Sequence, residues 1–236
     1  MNKGVVDIGN TQNKFAVFNN KGQLIAQKTF KLIDKGLEWL KHNQVDAIMA
    51  SSVSKDIPKS YKGIRIYKVS TASKLNFCNL YQSKTLGSDR ICAIAAAVHL
   101  FPKTPVLIFD IGSCLTIDFV NANSEFLGGN ISPGLNMRLQ AMHLLTQKLP
   151  LVKGNIAELN LANTTKSAIA NGALQGLHHE MMGYIETYST QYKDLKIVVC
   201  GGDTPHFVFP AKYKIFVQEY LVLQGLYALL KLNETL

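Results

Sequence analysis

The sequence predicts an α/β fold made of two lobes related by duplication, and three observations carry that prediction. The phrase Val5-Val6-Asp7-Ile8-Gly9-Asn10-Thr11 near the start recurs near the middle as Ile108-Phe109-Asp110-Ile111-Gly112-Ser113-Cys114. Each copy is an apolar, β-branched run, then Asp-Ile-Gly with a small polar residue, then a second apolar run, Phe15 to Phe18 or Leu115 to Val120. A polar turn follows, Asn19-Asn20-Lys21-Gly22 or Asn121-Ala122-Asn123-Ser124, and a third run completes a three-strand meander in each half. Between the copies Phe101-Pro102-Lys103-Thr104-Pro105 breaks the chain, which places an N-terminal lobe at 1–103 and a C-terminal lobe at 104–236.

The remaining elements repeat in similar order. After the first meander come a helix from about Asp34 to Asn43, a strand at Ala47 to Ala50 and another at Ile64 to Val69. Gly87-Ser88-Asp89-Arg90 then opens an alanine-rich helix from Ser88 to about Leu100. The second half has strands at Val106 to Ile111, Leu115 to Val120 and Phe126 to Gly129, with a helix starting after Pro133. A longer helix runs from Thr165 to Tyr188, followed by a strand at Ile197 to Cys200 and a closing helix from Glu219 to Leu232. Strands before helices, repeated, describe two α/β lobes, and a cleft between them is the natural ligand site.

Composition narrows the class. A hydrophobic fraction of 47% over 236 residues supplies a sizeable core. No apolar run reaches the roughly 18 residues that span a bilayer, and Asp7 and Asn10 interrupt the start in a way a signal peptide does not. A cytoplasmic protein is expected. Cys78, Cys92, Cys114 and Cys200 form no C-x-x-C pair and read as buried thiols. The net charge of +9 raises nucleic-acid binding as a possibility. The basic residues are scattered, however, and Lys28, Lys31, Lys35 and Lys41 read as solvated faces. Small anionic substrates are the better use of this field.

The repeated turn has a chemistry of its own. Gly9 and Gly112 are able to take positive φ and let a ligand approach the backbone, while nearby N–H groups and the hydroxyls of Thr11 or Ser113 donate to phosphate oxygens. Acids beside bound phosphate, Asp7 and Asp110, make sense chiefly as ligands of a metal or of metal-bound water. At Gly87-Ser88-Asp89-Arg90, a carboxylate in the first helical turn is favoured by the helix dipole and is placed to accept a hydroxyl proton. Arg90 is suited to hold a carboxylate or phosphate. Gly128-Gly129-Asn130-Ile131-Ser132-Pro133-Gly134-Leu135 reads as a compact turn that starts a helix with free N–H groups. Cys200-Gly201-Gly202-Asp203 leaves backbone bare enough for a flat base or ribose.

Assembled in this order, these motifs resemble the type III pantothenate kinases of the actin-like, acetate-and-sugar-kinase superfamily. Thr116 with Asp118, Leu145-Thr146 with Leu149-Pro150, and Thr164-Thr165 with Ala168-Ile169 extend the likeness over nearly the whole chain. The resemblance implies duplicated actin-like (ribonuclease H-like) lobes, each a mixed sheet with flanking helices. It implies phosphorylation of pantothenate by ATP, the first step of coenzyme A synthesis, in a cytoplasmic homodimer. ATP phosphates are expected at Asp7, Ile8, Gly9, Asn10, Thr11, Gln12, Asn13 and Lys14, and at Ser113, which stands where the family usually has Thr. Gly87, Ser88, Asp89 and Arg90 are expected to contact pantothenate, with Asp89 as the base. Asp110 matches a ligand for a monovalent cation, K+ or NH4+, and Mg2+ with ATP is expected near Asp7, directly or through water. Thr165 matches a substrate contact supplied across the dimer interface. Tyr81 is kept as a further substrate contact, although Tyr81-Gln82-Ser83-Lys84-Thr85-Leu86 is one residue shorter than the family's stretch and lacks its proline. The alternatives are a non-catalytic nucleotide-binding regulator on the same scaffold and another small-molecule kinase of the superfamily.

Overall fold

The computed structural model describes residues 1–9, 12–52, 56–83, 85–153 and 161–234. In chain order the elements are β1 (Asn2–Ile8), β2 (Asn13–Phe18), β3 (Leu24–Phe30), α1 (Ile33–His42), β4 (Val45–Ser52), β5 (Ser60–Tyr61), β6 (Ile64–Lys68), β7 (Cys78–Asn79) and α2 (Ser88–Leu100). They continue as β8 (Val106–Ile111), β9 (Cys114–Val120), β10 (Glu125–Pro133), α3 (Leu135–Leu144), α4 (Thr165–Gln191), β11 (Lys196–Cys200), β12 (Ile215–Val217) and α5 (Leu221–Asn233). None of the described helices is long and apolar enough to cross a membrane.

The duplication is visible in the sheets. One has the strand order β3-β2-β1-β4-β6-β5, the other β10-β9-β8-β11-β12 with β7 added beyond β10. Meander, centre and two later strands therefore recur in the same order. In the first sheet β1 pairs antiparallel with β2 and parallel with β4, so the sheet is mixed as expected. β1 reads as a near-continuous apolar run because Val5, Val6 and Ile8 are all fully buried.

Each unit has its own core. Phe15, Val17, Leu37, Leu40 and Ile48 form one, with α1 lying so close that a Cβ on Gly36 would come within 2.1 Å of the Phe15 ring. The other joins Leu107, Phe109, Leu115 and Ile117 of β8 and β9 to Leu174, Leu177, Met181 and Ile185 of α4. The buried residues of α4 fall on one stripe at helical spacing. Its apolar content is thus largely used within its own unit, with Met182 half-buried against the same core.

By compactness the chain divides into Met1–Thr104, Val120–Gly128 and Tyr220–Leu236 as one unit, and Pro105–Phe119 with Gly129–Glu219 as the other. The expected lobes assign residues by a single cut at 103/104, whereas these units exchange chain three more times. The closing helix explains the last exchange. α5 packs on α2 so closely that a Cβ on Gly225 would lie 1.8 Å from the Cys92 carbonyl oxygen.

Two expectations are corrected. Gly128 and Gly129 do not form a compact turn but lie inside β10, which continues to Pro133. Gly129 is required there by close approach of β9, since a Cβ would come within 2.0 Å of the Ile117 carbonyl oxygen and 2.6 Å of Asp118. Among the described residues the glycines at positive φ are Gly22, Gly63, Gly128 and Gly201, and Gly9 and Gly112 are not among them. The Gly9 N–H donates to the Gln12 carbonyl (3.1 Å), and the Gly112 N–H to the Cys114 carbonyl (3.0 Å).

Candidate active site

The sheet registers gather one set of candidate residues in the first unit. Asp7 lies at the end of β1, opposite Lys14 on β2 and Ser51 on β4. Residues opposite one another in a sheet project to the same face, so Asp7 meets both side chains. Burial pushes its carboxyl up to about 6, an effect that Lys14 opposes, Asp89 reinforces and a hydrogen bond from Ser51 opposes. Ser51 is fully buried, and its Oγ lies 2.9 Å from that of Ser88.

Asp89 lies in the first turn of α2, where the helix dipole favours its carboxylate. Its Oδ1 accepts the Arg90 backbone N–H at 2.8 Å, and the carboxylate folds back over Gly87, where a Cβ would meet it at 2.5 Å. Glycine at 87 thus leaves room for the acid. Arg90 is only 5% exposed, with its guanidinium 5.5 Å from the Tyr81 ring centroid and 5.8 Å from that of Phe126. Tyr81 therefore supports Arg90 from one side. It is brought there by β7, which pairs with β10 at Phe126. Cys92, one turn into the helix, is a buried thiol pushed well up by burial and by the charges of Asp7 and Asp89.

Other expected phosphate contacts separate by role. Ile8 is fully buried and Gln12 exposed. Asn13 commits its amide to the carbonyls of Phe30 and Lys31, both at 3.1 Å, and so fixes the meander. Asn10 and Thr11 lie outside the described residues.

The second unit carries the other turn. Asp110 is half-buried near the end of β8, and Ser113 is exposed at the turn. Gly134, the N-cap of α3, presses on that turn, since a Cβ would lie 2.2 Å from the Gly112 carbonyl oxygen and 2.7 Å from that of Ser113. The Pro133-Gly134 step thus sets the start of α3 against residues 112–113. Gly201, at φ +99°, packs against the Ile111 backbone, to whose carbonyl Asp203 donates its N–H at 3.0 Å. Burial raises the Asp203 carboxyl, with His206 opposing. Nothing lies within 4 Å of a Cβ on Gly202, which leaves the bare backbone expected there. Thr165 is exposed at the start of α4, beside the capping box formed by Thr164 and Ser167.

Sequence reasoning missed Ser51 and Phe126. No motif marks either one. Ser51 is recognisable only once β4 is paired with β1, and Phe126 only once β7 is paired with β10. Among the described residues no group of three or more His, Cys, Asp or Glu is placed to hold a metal ion.

A model of the type III pantothenate kinase family matches residues 5–187. Proteins named type III pantothenate kinase from Christiangramia forsetii and Phocaeicola vulgatus are 34% and 35% identical over 242 residues, covering 98% of this chain and 98% and 99% of theirs. Among solved structures, the activator of the 2-hydroxyisocaproyl-CoA dehydratase from Clostridium difficile with bound ADPNP aligns at a TM-score of 0.55 and 15% identity, covering 100% of this chain and 97% of that one. That last likeness is one of fold.

Proposed function

The chain belongs to the type III pantothenate kinases, and from that premise we propose how its residues transfer the γ-phosphoryl group of ATP to the primary hydroxyl of pantothenate. The products are ADP and 4′-phosphopantothenate, so the chain performs the first step of coenzyme A biosynthesis. One observation carries the assignment of roles. Asp7, at the end of β1, and Asp89, in the first turn of α2, lie near enough for the charge of one to be felt by the other. That proximity supports assigning the phosphate turn and the candidate base to one site.

In this reading Asp89 accepts the proton of the attacking hydroxyl, and Gly87, Ser88 and Arg90 bind pantothenate beside it. Arg90, held between the Tyr81 and Phe126 rings, keeps its charge in place. Tyr81 acts through Arg90 as well as by any contact of its own. The ATP phosphates fall to the backbone from Asp7 to Asn13, to Lys14 and to Ser113. Catalysis of this kind is mostly positioning and charge neutralisation. Asp7 fits an Mg2+ ion carried by ATP, because a cation there relieves a carboxylate that burial and Asp89 both disfavour. When bound, Mg2+ would neutralise phosphate charge. Asp110 is assigned to a monovalent cation, K+ or NH4+. Thr165 is assigned to the partner's pantothenate site in a cytoplasmic homodimer.

The test is ADP release measured with ATP, Mg2+, potassium and pantothenate. Turnover should require pantothenate and fall when potassium and ammonium are withheld. No pantothenate-dependent release contradicts the activity, and full activity in Tris and Mg2+ alone contradicts the role given to Asp110.

A further inference from the structure

We infer that Ser51 is a positioning residue of the phosphoryl-transfer site, joining the Asp7 carboxylate on β1 to the Ser88 hydroxyl at the start of α2. The inference rests on the kinase reading and adds to it a residue that lies in none of the sequence motifs. Ser51 is next to last in β4, in register with Asp7 and fully buried. It is hydrogen-bonded to the Asp7 carboxylate, and its Oγ lies 2.9 Å from Ser88 Oγ.

Counting protons fixes the direction of this chain. An ionised carboxylate can only accept, so Ser51 gives its one proton to Asp7, and Ser88 must then donate to Ser51. Ser88 is left with lone pairs alone to offer a ligand, which suits it to receive an O–H or N–H group of the acceptor substrate. Its rotamer is set from within the protein. Because Ser88 immediately precedes Asp89, the same bond ties the first turn of α2 to the end of β1. The nucleotide side and the acceptor side of the site are thereby held in one geometry, and a small misplacement at a reacting centre is costly in rate.

Groups bonded in series act as a unit, and their removal is not additive. The experiment is a double-mutant cycle of Ser51→Ala and Ser88→Ala at pH 8, with steady-state kinetics for ATP and pantothenate and with unfolding of the ligand-free proteins. Ser51→Ala is expected to lower kcat about tenfold, the scale of one hydrogen bond to a charged group, with KM for ATP changed less than twofold. The double variant is expected to be no slower than the slower single variant, and the two changes should also be non-additive in unfolding. Ser51→Thr, which restores the hydroxyl, should recover most of kcat. Multiplicative losses in the cycle, or a Ser51→Ala kcat within twofold of wild type, overturn this inference alone. A wild-type chain without pantothenate-dependent turnover overturns it together with the proposed function.

Discussion

Gly225→Ala sets two physical effects against each other, and the structure decides which wins. Residue 225 lies inside α5, where replacing glycine by alanine should gain about 1 kcal/mol of helix propensity. Yet a Cβ there would sit 1.8 Å from the carbonyl oxygen of Cys92, 2.5 Å from its carbonyl carbon and 3.0 Å from its Cα. Ordinary contact begins near 3.4 Å, so α5 and α2 must separate by about 1.5 Å. The obstacle is backbone of a buried helix, which has no rotamer to change. Overpacking of this kind costs about 1–3 kcal/mol and occasionally more, and a clash with backbone belongs at the upper end. A net loss of about 2 kcal/mol is expected, equivalent to roughly 4–8 °C in Tm for a chain of this size. Since α2 carries Asp89 and Arg90 at its start, a displacement of about 1 Å there should also lower kcat by up to about 100-fold. Thermal unfolding by circular dichroism and the kinase assay read the two effects. Gly183→Ala is the control, because nothing lies within 4 Å of its Cβ position in α4, and it should raise Tm slightly. A Gly225→Ala protein as stable as wild type, or more so, would refute the packing argument.

Asp89→Asn should keep the fold and nucleotide binding while kcat falls by roughly 100-fold or more, the usual contribution of a general base; near-normal turnover would remove Asp89 from the chemistry. Asp7→Asn should stabilise the ligand-free protein. Burial pushes the folded Asp7 carboxyl up to about 6 from the ordinary 3.8, so the folded state holds the proton more tightly and this residue's contribution to stability falls as pH rises between those values. The variant's advantage in Tm should accordingly be present at pH 7–8 and shrink as pH drops from about 6 to about 4, and a pH-independent difference would contradict the burial argument. Variants inactivated at Asp89 and at Thr165 should partly restore activity when mixed under subunit exchange, and a fully active monomer in sedimentation would exclude the shared site.

The parts of this molecule that local pattern governs were legible in the sequence. Both meanders appear where alternating apolar runs and polar turns placed them, and α2 spans Ser88–Leu100 because Gly87-Ser88 opens a helix and the Phe101-Pro102 step ends it. What depends on distant chain was not legible. Glycine at 129 answers a neighbouring strand rather than a turn, and its sequence context does not distinguish the two. Arg90 is marked in the sequence as an anion-binding residue, but one of the rings beside it, Phe126, lies far along the chain. Ser51 enters the site only through the register of β4 on β1. The apolar residues of α4 are largely taken up by the core of its own unit.

This chain moves a phosphoryl group from ATP to pantothenate. Mass spectrometry of the products formed from ATP, Mg2+, potassium and pantothenate tests it most directly. 4′-Phosphopantothenate and ADP are expected in equal amounts, both forming roughly 100-fold more slowly with Asp89→Asn. ADP formed without phosphorylated pantothenate, or no pantothenate-dependent product at all, would contradict it.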